Sequence, residues 1–143
     1  MNYPKTIQIK DIKKENSDVK TLFFDYPKLT HPGQFFMIWV PTIDEIPMSI
    51  SYVENDSKGI TFKRVGDSTN ALFKLKVGDK LGIRGPFGNA FKIDGKEVLF
   101  VGGGTGIATL TPTVENAINK KISAKVVLGV KNKNELFFKD RLN

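Results

Sequence analysis

The stretch Val98-Leu99-Phe100-Val101-Gly102-Gly103-Gly104-Thr105-Gly106-Ile107-Ala108 decides how the chain divides. Its continuous apolar run reads as a parallel-type strand buried on both faces, and the glycines that follow read as a strand-to-helix turn. Beyond them Ile107, Leu110, Val114, Ala117 and Ile118 fall on one side of a helix. Pro112, with no N–H and a fixed φ, predicts that this helix starts near a Thr111 cap rather than at Gly106. A second apolar strand is expected over Ala124–Val130, and a further helix over 135–142. Strand, glycine loop, helix and strand make the opening of a parallel α/β sheet. Two parallel strands need cover on both faces and edges, from the rest of the chain or from a partner.

Upstream of Gly95 the pattern differs. Short strands are expected over Thr6–Lys13, Val19–Asp25, Gln34–Val40, Met48–Val53, Gly59–Val65 and Lys80–Arg84. Turn compositions at His31-Pro32-Gly33, Asn55-Asp56-Ser57 and Gly85-Pro86-Phe87-Gly88 separate them. One short helix interrupts, over about Thr69–Leu75, with Ala71, Leu72 and Leu75 on one face. The fold class expected is a mostly antiparallel β-barrel over residues 1–94, followed by a partial α/β nucleotide-binding domain over 95–143.

Composition excludes several chemistries. The chain contains no cysteine, so it offers no disulfide, thiol nucleophile, thiolate-ligated zinc or iron–sulfur cluster. The longest apolar run, Phe35–Val40, is far short of the roughly 18 residues of a membrane span. Charged and polar residues follow Met1-Asn2-Tyr3-Pro4-Lys5, unlike a secretory signal, and the expectation is a cytoplasmic protein away from membranes. The formal charge of +7 is spread along strands that alternate lysine with apolar residues. Without exposed aromatics inside a basic cluster, no nucleic acid is expected; solvated faces, or attraction of an anionic dinucleotide, account for the charge.

A glycine turn between strand and helix lets backbone N–H groups approach a pyrophosphate, helped by the positive end of the helix. The candidate cradle is Gly103, Gly104, Thr105 and Gly106. It is not the dinucleotide fingerprint G-x-G-x-x-G, because Gly102 and Gly104 fit but Ile107 takes the third place. No acidic residue ends the second strand, which runs into Lys131-Asn132-Lys133. A plain connection without a ligand is the alternative reading.

Five segments in order are specific together: Pro32-Gly33-Gln34-Phe35-Phe36-Met37, Pro47-Met48-Ser49-Ile50, Gly66-Asp67-Ser68-Thr69, Gly85-Pro86-Phe87-Gly88 and Gly102–Ala108. Over nearly the whole chain they resemble the ferredoxin reductase superfamily and, within it, the electron-transfer subunits of two-component dihydroorotate dehydrogenases. The resemblance implies an FAD-binding barrel, an α/β domain that binds NAD, and an FMN-containing dihydroorotate dehydrogenase catalytic subunit, or a similar redox partner, in pyrimidine biosynthesis. It puts Pro47, Met48 and Ser49 along the isoalloxazine ring, suited by polarizable contact plus one hydrogen-bonding group. The alternative is a barrel strand with Met48 and Ile50 inward.

Ile46 stands where relatives carry an arginine on the FAD pyrophosphate, and Lys63 or Arg64 is the expected substitute. Gly66, Ser68 and Thr69 open the short helix, where the resemblance puts the pyrophosphate; capping by Asp67 or Ser68 is the alternative. Thr109 replaces the proline of relatives. The cysteine-rich iron–sulfur segment of relatives has no counterpart here. No catalytic acid or base is implied, since the carriers hold the chemistry, and His31 reads as a turn residue. A non-catalytic flavin-binding or assembly module is the other functional reading.

Overall fold

The computed structural model describes residues 3–142; Met1 and Asn2 of the segment read as lacking a signal lie outside them. The strands β1 (Lys5–Lys14), β2 (Val19–Asp25), β3 (Phe35–Val40), β4 (Asp44–Glu54), β5 (Ser57–Lys63) and β6 (Lys80–Phe87) close an antiparallel barrel in the order β1-β2-β5-β4-β3-β6. Alternation drives this closure. Leu22 and Phe24, Phe36 and Ile38, Ile60 and Phe62, Leu81 and Ile83 each point inward two residues apart, and all are buried. Each such side chain withdrawn from water contributes on the order of 1.5–3 kcal/mol.

Among the barrel strands, β4 and β6 outrun their expected limits most. β4 begins at Asp44 because Asp44, Glu45 and Ile46 pair with Val40, Trp39 and Ile38. β6 continues through the Gly85-Pro86-Phe87 segment read as a turn, where Phe87 pairs with Phe35 across a bulge. The turn residues fit there because Gly85, at φ 131°, lies against the ring of Phe36 and the carbonyl of Phe35. The Tyr26 hydroxyl donates to the Gly85 carbonyl at 2.7 Å.

Helix α1 (Asp67–Lys74) joins the barrel core through buried Leu72, with Ala71 and Leu75 partly buried beside it. Neither Asp67 nor Ser68 caps it. Gly66 is the N-cap, and the Thr69 hydroxyl reaches back, accepting from the N–H of Val65 at 2.9 Å and of Gly66 at 3.0 Å.

The second unit contains β7 (Glu97–Gly103), α2 (Gly106–Asn119) and β8 (Ser123–Gly129), with β7 and β8 parallel and in register from Glu97/Ser123 to Gly103/Gly129. Contrary to the expectation from the proline, α2 starts at Gly106 and carries Pro112 inside it. Packing on both sides of the proline explains this: Ile107 and Ala108 are buried against Val19 and Phe137, Val114 and Ala117 against Phe100. Together these offset the roughly 3 kcal/mol of an interior proline.

Two further expectations are corrected. The β7 run is buried on one face only, with Leu99 at 61% and Val101 at 67% exposure beside Val127 at 52% on β8. Ile118, expected on the apolar side of α2, is also exposed, because the helix face ends at Ala117 where the chain turns toward β8. The expected helix over 135–142 is instead a 3-10 turn (Lys133–Glu135), an extended step and the short α3 (Lys139–Leu142). Phe137 and Phe138 are adjacent yet both buried, and Phe138 takes a φ of 63° so that its ring meets Tyr52, a contact a continuous helix would forbid. No helix among the described residues is long and apolar enough to cross a membrane, and no group of metal-ligating side chains gathers among them.

Candidate functional site

The carboxyl ends of β7 and β8 meet the end of β5 at a crevice, and there Lys63 faces the glycine loop. It is lined by Gly103, Gly104 and Thr105 at and just after the end of β7 and by Gly129, Val130 and Lys131 at and just after the end of β8. An adjoining cleft of about 250 Å³ adds Asn16, Ser17 and Asp18 from the β1–β2 turn and Asn132 and Asn134 from the 3-10 turn. Open α/β sheets bind ligands at the carboxyl ends of their strands, so this placement follows from the topology.

The loop itself is open. A Cβ added at Gly104 or Gly106 would meet no atom within 4 Å, so the space before the backbone is free for a ligand. Gly104 adopts φ 52°, and its N–H donates to the Gly129 carbonyl at 3.0 Å, tying the loop to β8. α2 carries no acidic residue in its first turn, leaving its positive end uncompensated, and the first N–H groups of a helix have no partner within it. The room and the donor set fit a pyrophosphate.

Charges at the crevice are paired across the two units. Lys63 Nζ donates to Glu135 Oε1 at 3.1 Å, while Oε2 accepts from the Lys131 backbone N–H at 3.3 Å. These two hydrogen bonds, Lys63 foremost, hold the Glu135 carboxyl below the usual carboxylate range. On the next residue, Arg64 Nε donates to Asp18 Oδ1 at 2.8 Å and depresses that carboxyl in turn, with help from the Ser17 hydroxyl.

The FAD-type residues lie on other faces of the barrel end. Met37, Phe36 and Phe35 on β3 pair with Pro47, Met48 and Ser49 on β4. Met48 packs against the barrel core together with Ile46, while Pro47 is exposed and Ser49 partly buried. Ile46 is thus an apolar side chain in an apolar place. The neighbouring Glu45 is held by Arg84 in two hydrogen bonds of 2.7 and 2.5 Å, which lower its pKa. Arg64 borders a shallow groove beside α1 with Asp67, Asn70 and Phe73, its guanidinium 4.9 Å from the Phe73 centroid. A Cβ at Gly66 would also meet nothing within 4 Å, leaving the start of α1 accessible at its backbone, although the Thr69 hydroxyl is spent on capping and Asp67 adds negative charge there.

Lys63, Gly103, Gly104 and Thr105 therefore share one crevice, Gly106 continues it into α2, and Arg64 lines the groove beside α1; Gly66 caps that helix and Ser68 and Thr69 lie in its first turn, but none of the three lines the groove. Pro47, Met48 and Ser49 are not among the residues that line the crevice. Sequence reasoning misses Asp18, Lys131 and Glu135. Glu135 is concealed because its segment reads as a helix, and Asp18 because it lies in a turn between strands; only folding brings both to the glycine loop.

The closed barrel followed by a parallel α/β unit is similar in fold to ferredoxin reductases. The FAD/NAD-binding domain of nitric oxide dioxygenase from Vibrio cholerae superposes with a TM-score of 0.86 at 17% identity, over 98% of this chain and 68% of that one. A structure of the NADH-dependent reduced ferredoxin-NADP oxidoreductase superposes with a TM-score of 0.83 at 31% identity, over 96% of this chain and 52% of that one. No protein-family model matches.

Within this class the chain is a homologue of the electron-transfer subunits of dihydroorotate dehydrogenase B (NAD(+)). The probable subunit of Methanocella arvoryzae is 41% identical over 96% of this chain and 53% of its own length. That of Thermoplasma acidophilum is 42% identical over 94% and 51%. The chain spans about half the length of the curated relatives it matches.

Proposed function

We propose that this chain is the FAD-binding part of a dihydroorotate dehydrogenase-like electron-transfer subunit, an oxidoreductase component that passes electrons between a redox partner and NAD in pyrimidine biosynthesis. The observation that carries the reading is the crevice in which the end of a barrel strand, at Lys63, meets an unobstructed glycine loop at Gly103–Gly106. The names of its homologues support the same activity.

In this reading residues 1–94 form the FAD domain and residues 95–143 part of the NAD domain, a division supported by the change from closed barrel to parallel sheet. Pro47, Met48 and Ser49 line the flavin ring. The backbone of Gly66, Ser68 and Thr69, with Arg64 as the nearby cation, receives the FAD pyrophosphate, and Gly103–Gly106 with Lys63 receive that of NAD. Bound FAD supplies the electron-carrying chemistry. The chain positions both molecules and keeps Glu135 and Asp18, the carboxylates nearest the crevice, neutralised by Lys63 and Arg64 so that neither repels phosphate. An FMN-containing catalytic subunit is the partner, and the cytoplasm the compartment.

An absorbance spectrum tests this directly: the purified protein is given FAD, then NADH without oxygen. A retained flavin band that bleaches supports the full reading. A second reading, a flavin-holding or assembly module, is favoured by the open sheet face at Leu99, Val101 and Val127, and predicts a retained band that does not bleach. Failure to retain FAD overturns the first reading and the flavin-holding form of the second, leaving an assembly module without the cofactor.

A further inference from the structure

We infer that Glu135 is a resident competitor for Lys63: an anion of the chain itself holds this cation until the pyrophosphate of a dinucleotide takes it, and thereby lowers the affinity of the crevice for its ligand. This deepens the dinucleotide reading above and rests on it. Of the residues that line the crevice and those that line the adjoining cleft, four belong to both: Lys63, Gly104, Thr105 and Glu135. The ion pair therefore stands at the same junction as the loop backbone that receives the phosphate in this reading. Lys63 ends β5 and Glu135 ends the 3-10 turn, and only folding brings ammonium and carboxylate to 3.1 Å.

The pair is placed so that it can exchange. Its side chains are 37% and 27% exposed, and ion pairs this open to water are weak. Glu135 Oε2 also accepts from the Lys131 backbone N–H at 3.3 Å, so the carboxylate keeps a donor when Lys63 leaves it. Lys63 has a flexible stem and three donors, of which Glu135 engages one. The second ion pair of this region stands further back. Asp18 lines the cleft but not the crevice, and its partner Arg64 lines neither.

A phosphate that reaches Gly104 and Thr105 meets a cation whose charge is already offset. Among the described residues Glu135 is the one carboxylate lining the crevice, and the Lys63 hydrogen bond, foremost, lowers its pKa, so the charged form competes at neutral pH. The pairing that keeps Glu135 from repelling the phosphate withholds Lys63 from it as well. To gain the ammonium, phosphate oxygens have to displace a carboxylate oxygen, and the exchange reduces the net free energy of binding. A chain that carries electrons to a dinucleotide has to release it after each transfer. The return of Lys63 to Glu135 favours that release.

The test is calorimetric titration of the FAD-supplemented protein with NAD+ and with inorganic pyrophosphate at one fixed salt concentration. E135Q keeps the size of the side chain and removes its charge, and is expected to bind both probes about three- to tenfold more tightly than the parent. E135D, which keeps the charge but shortens the reach to Lys63, should gain in the same direction and serves as the measure if circular dichroism shows E135Q unfolded. E97Q, at the opposite end of β7 and exposed, changes the net charge as E135Q does and should leave both affinities unchanged. K63M should bind more weakly, and the gain from E135Q should be smaller in its background. No gain in the Glu135 variants, a gain as large with K63M as without it, or the same gain in E97Q overturns the competition while leaving the dinucleotide site standing. Binding by E135Q with none by the parent supports the competition in its strongest form. Absence of binding of both probes by the parent and the Glu135 variants alike overturns the dinucleotide reading and the competition with it.

Discussion

Arg141 and Glu115 face each other across α2 and α3 as a two-point ion pair, with guanidinium Nε and Nη2 each 2.7 Å from a carboxylate oxygen. The same guanidinium donates to the Ser51 carbonyl at 3.0 Å and lies 3.7 Å from the centroid of Tyr52. One side chain thus joins the barrel, the long helix and the last turn of the described chain. Because that turn follows Phe137 and Phe138, the clamp also fixes the segment that carries Glu135 to the crevice.

Removal of this clamp should be costly. Arg141 is only 14% exposed at its side chain, so R141A leaves Glu115 without its partner and the Ser51 carbonyl without its donor. A loss of about 2–3 kcal/mol is expected by urea denaturation. R141K keeps the charge but not the fork or the planar stack on Tyr52, and should recover less than half.

The link between the units should weaken in acid. Lys63 and the Lys131 N–H favour ionised Glu135, so its pKa is lower folded than unfolded. A depressed carboxyl contributes stability that is complete above the ordinary value of 4.5 and lost as pH falls through the folded pKa. Asp18 and Glu45 are shifted the same way by Arg64 and Arg84. Stability should therefore fall with decreasing pH below 4.5. E135Q should cost most at neutral pH, with its difference from the parent shrinking toward acid; a constant difference across the titration would contradict the pairing.

Pro112 predicts a stabilising substitution. It lies within α2, where its missing N–H leaves the Ala108 carbonyl without the usual helical donor. P112A regains that bond and relieves a penalty of about 3 kcal/mol, against the loss of two buried ring methylenes at about 0.8 kcal/mol each. A net gain of about 1.4 kcal/mol is expected from these two magnitudes and is read as an upward shift of the denaturation midpoint with unchanged slope.

Gly104 separates stability from binding. At φ 52° a β-carbon costs about 1–2 kcal/mol in the backbone, and it would project into the open space before the loop. G104A should therefore remain folded, with a modestly lower midpoint, while dinucleotide affinity falls by a larger factor than the stability loss implies. If affinity holds while stability falls, the loop does not carry the phosphate.

The local chemistry of each element is legible in the order of its residues. Alternation in Phe36/Ile38 and Ile60/Phe62 marks barrel strands, Gly33 and Asn55 mark turns, and the glycines after Val101 mark a strand-to-helix loop, because period and turn chemistry are properties of a few consecutive residues. The ordered motifs carry the resemblance to the ferredoxin reductase superfamily for the same reason.

What tertiary packing decided was everything that depended on distant partners. Pro112 sits inside a helix because Ile107 and Val114 on either side have buried partners elsewhere. The 135–142 segment left the helix because Phe138 gains the ring of Tyr52 from another strand. The charge balance of the crevice arose when Asp18, Lys63 and the segment carrying Lys131 and Glu135, from three separate places in the sequence, met at the glycine loop. The sequence alone determined which residues were available and what each could do; the closing of the barrel against α2 decided which of them would meet, because long-range contacts depend on the burial of whole faces rather than on neighbours in the chain.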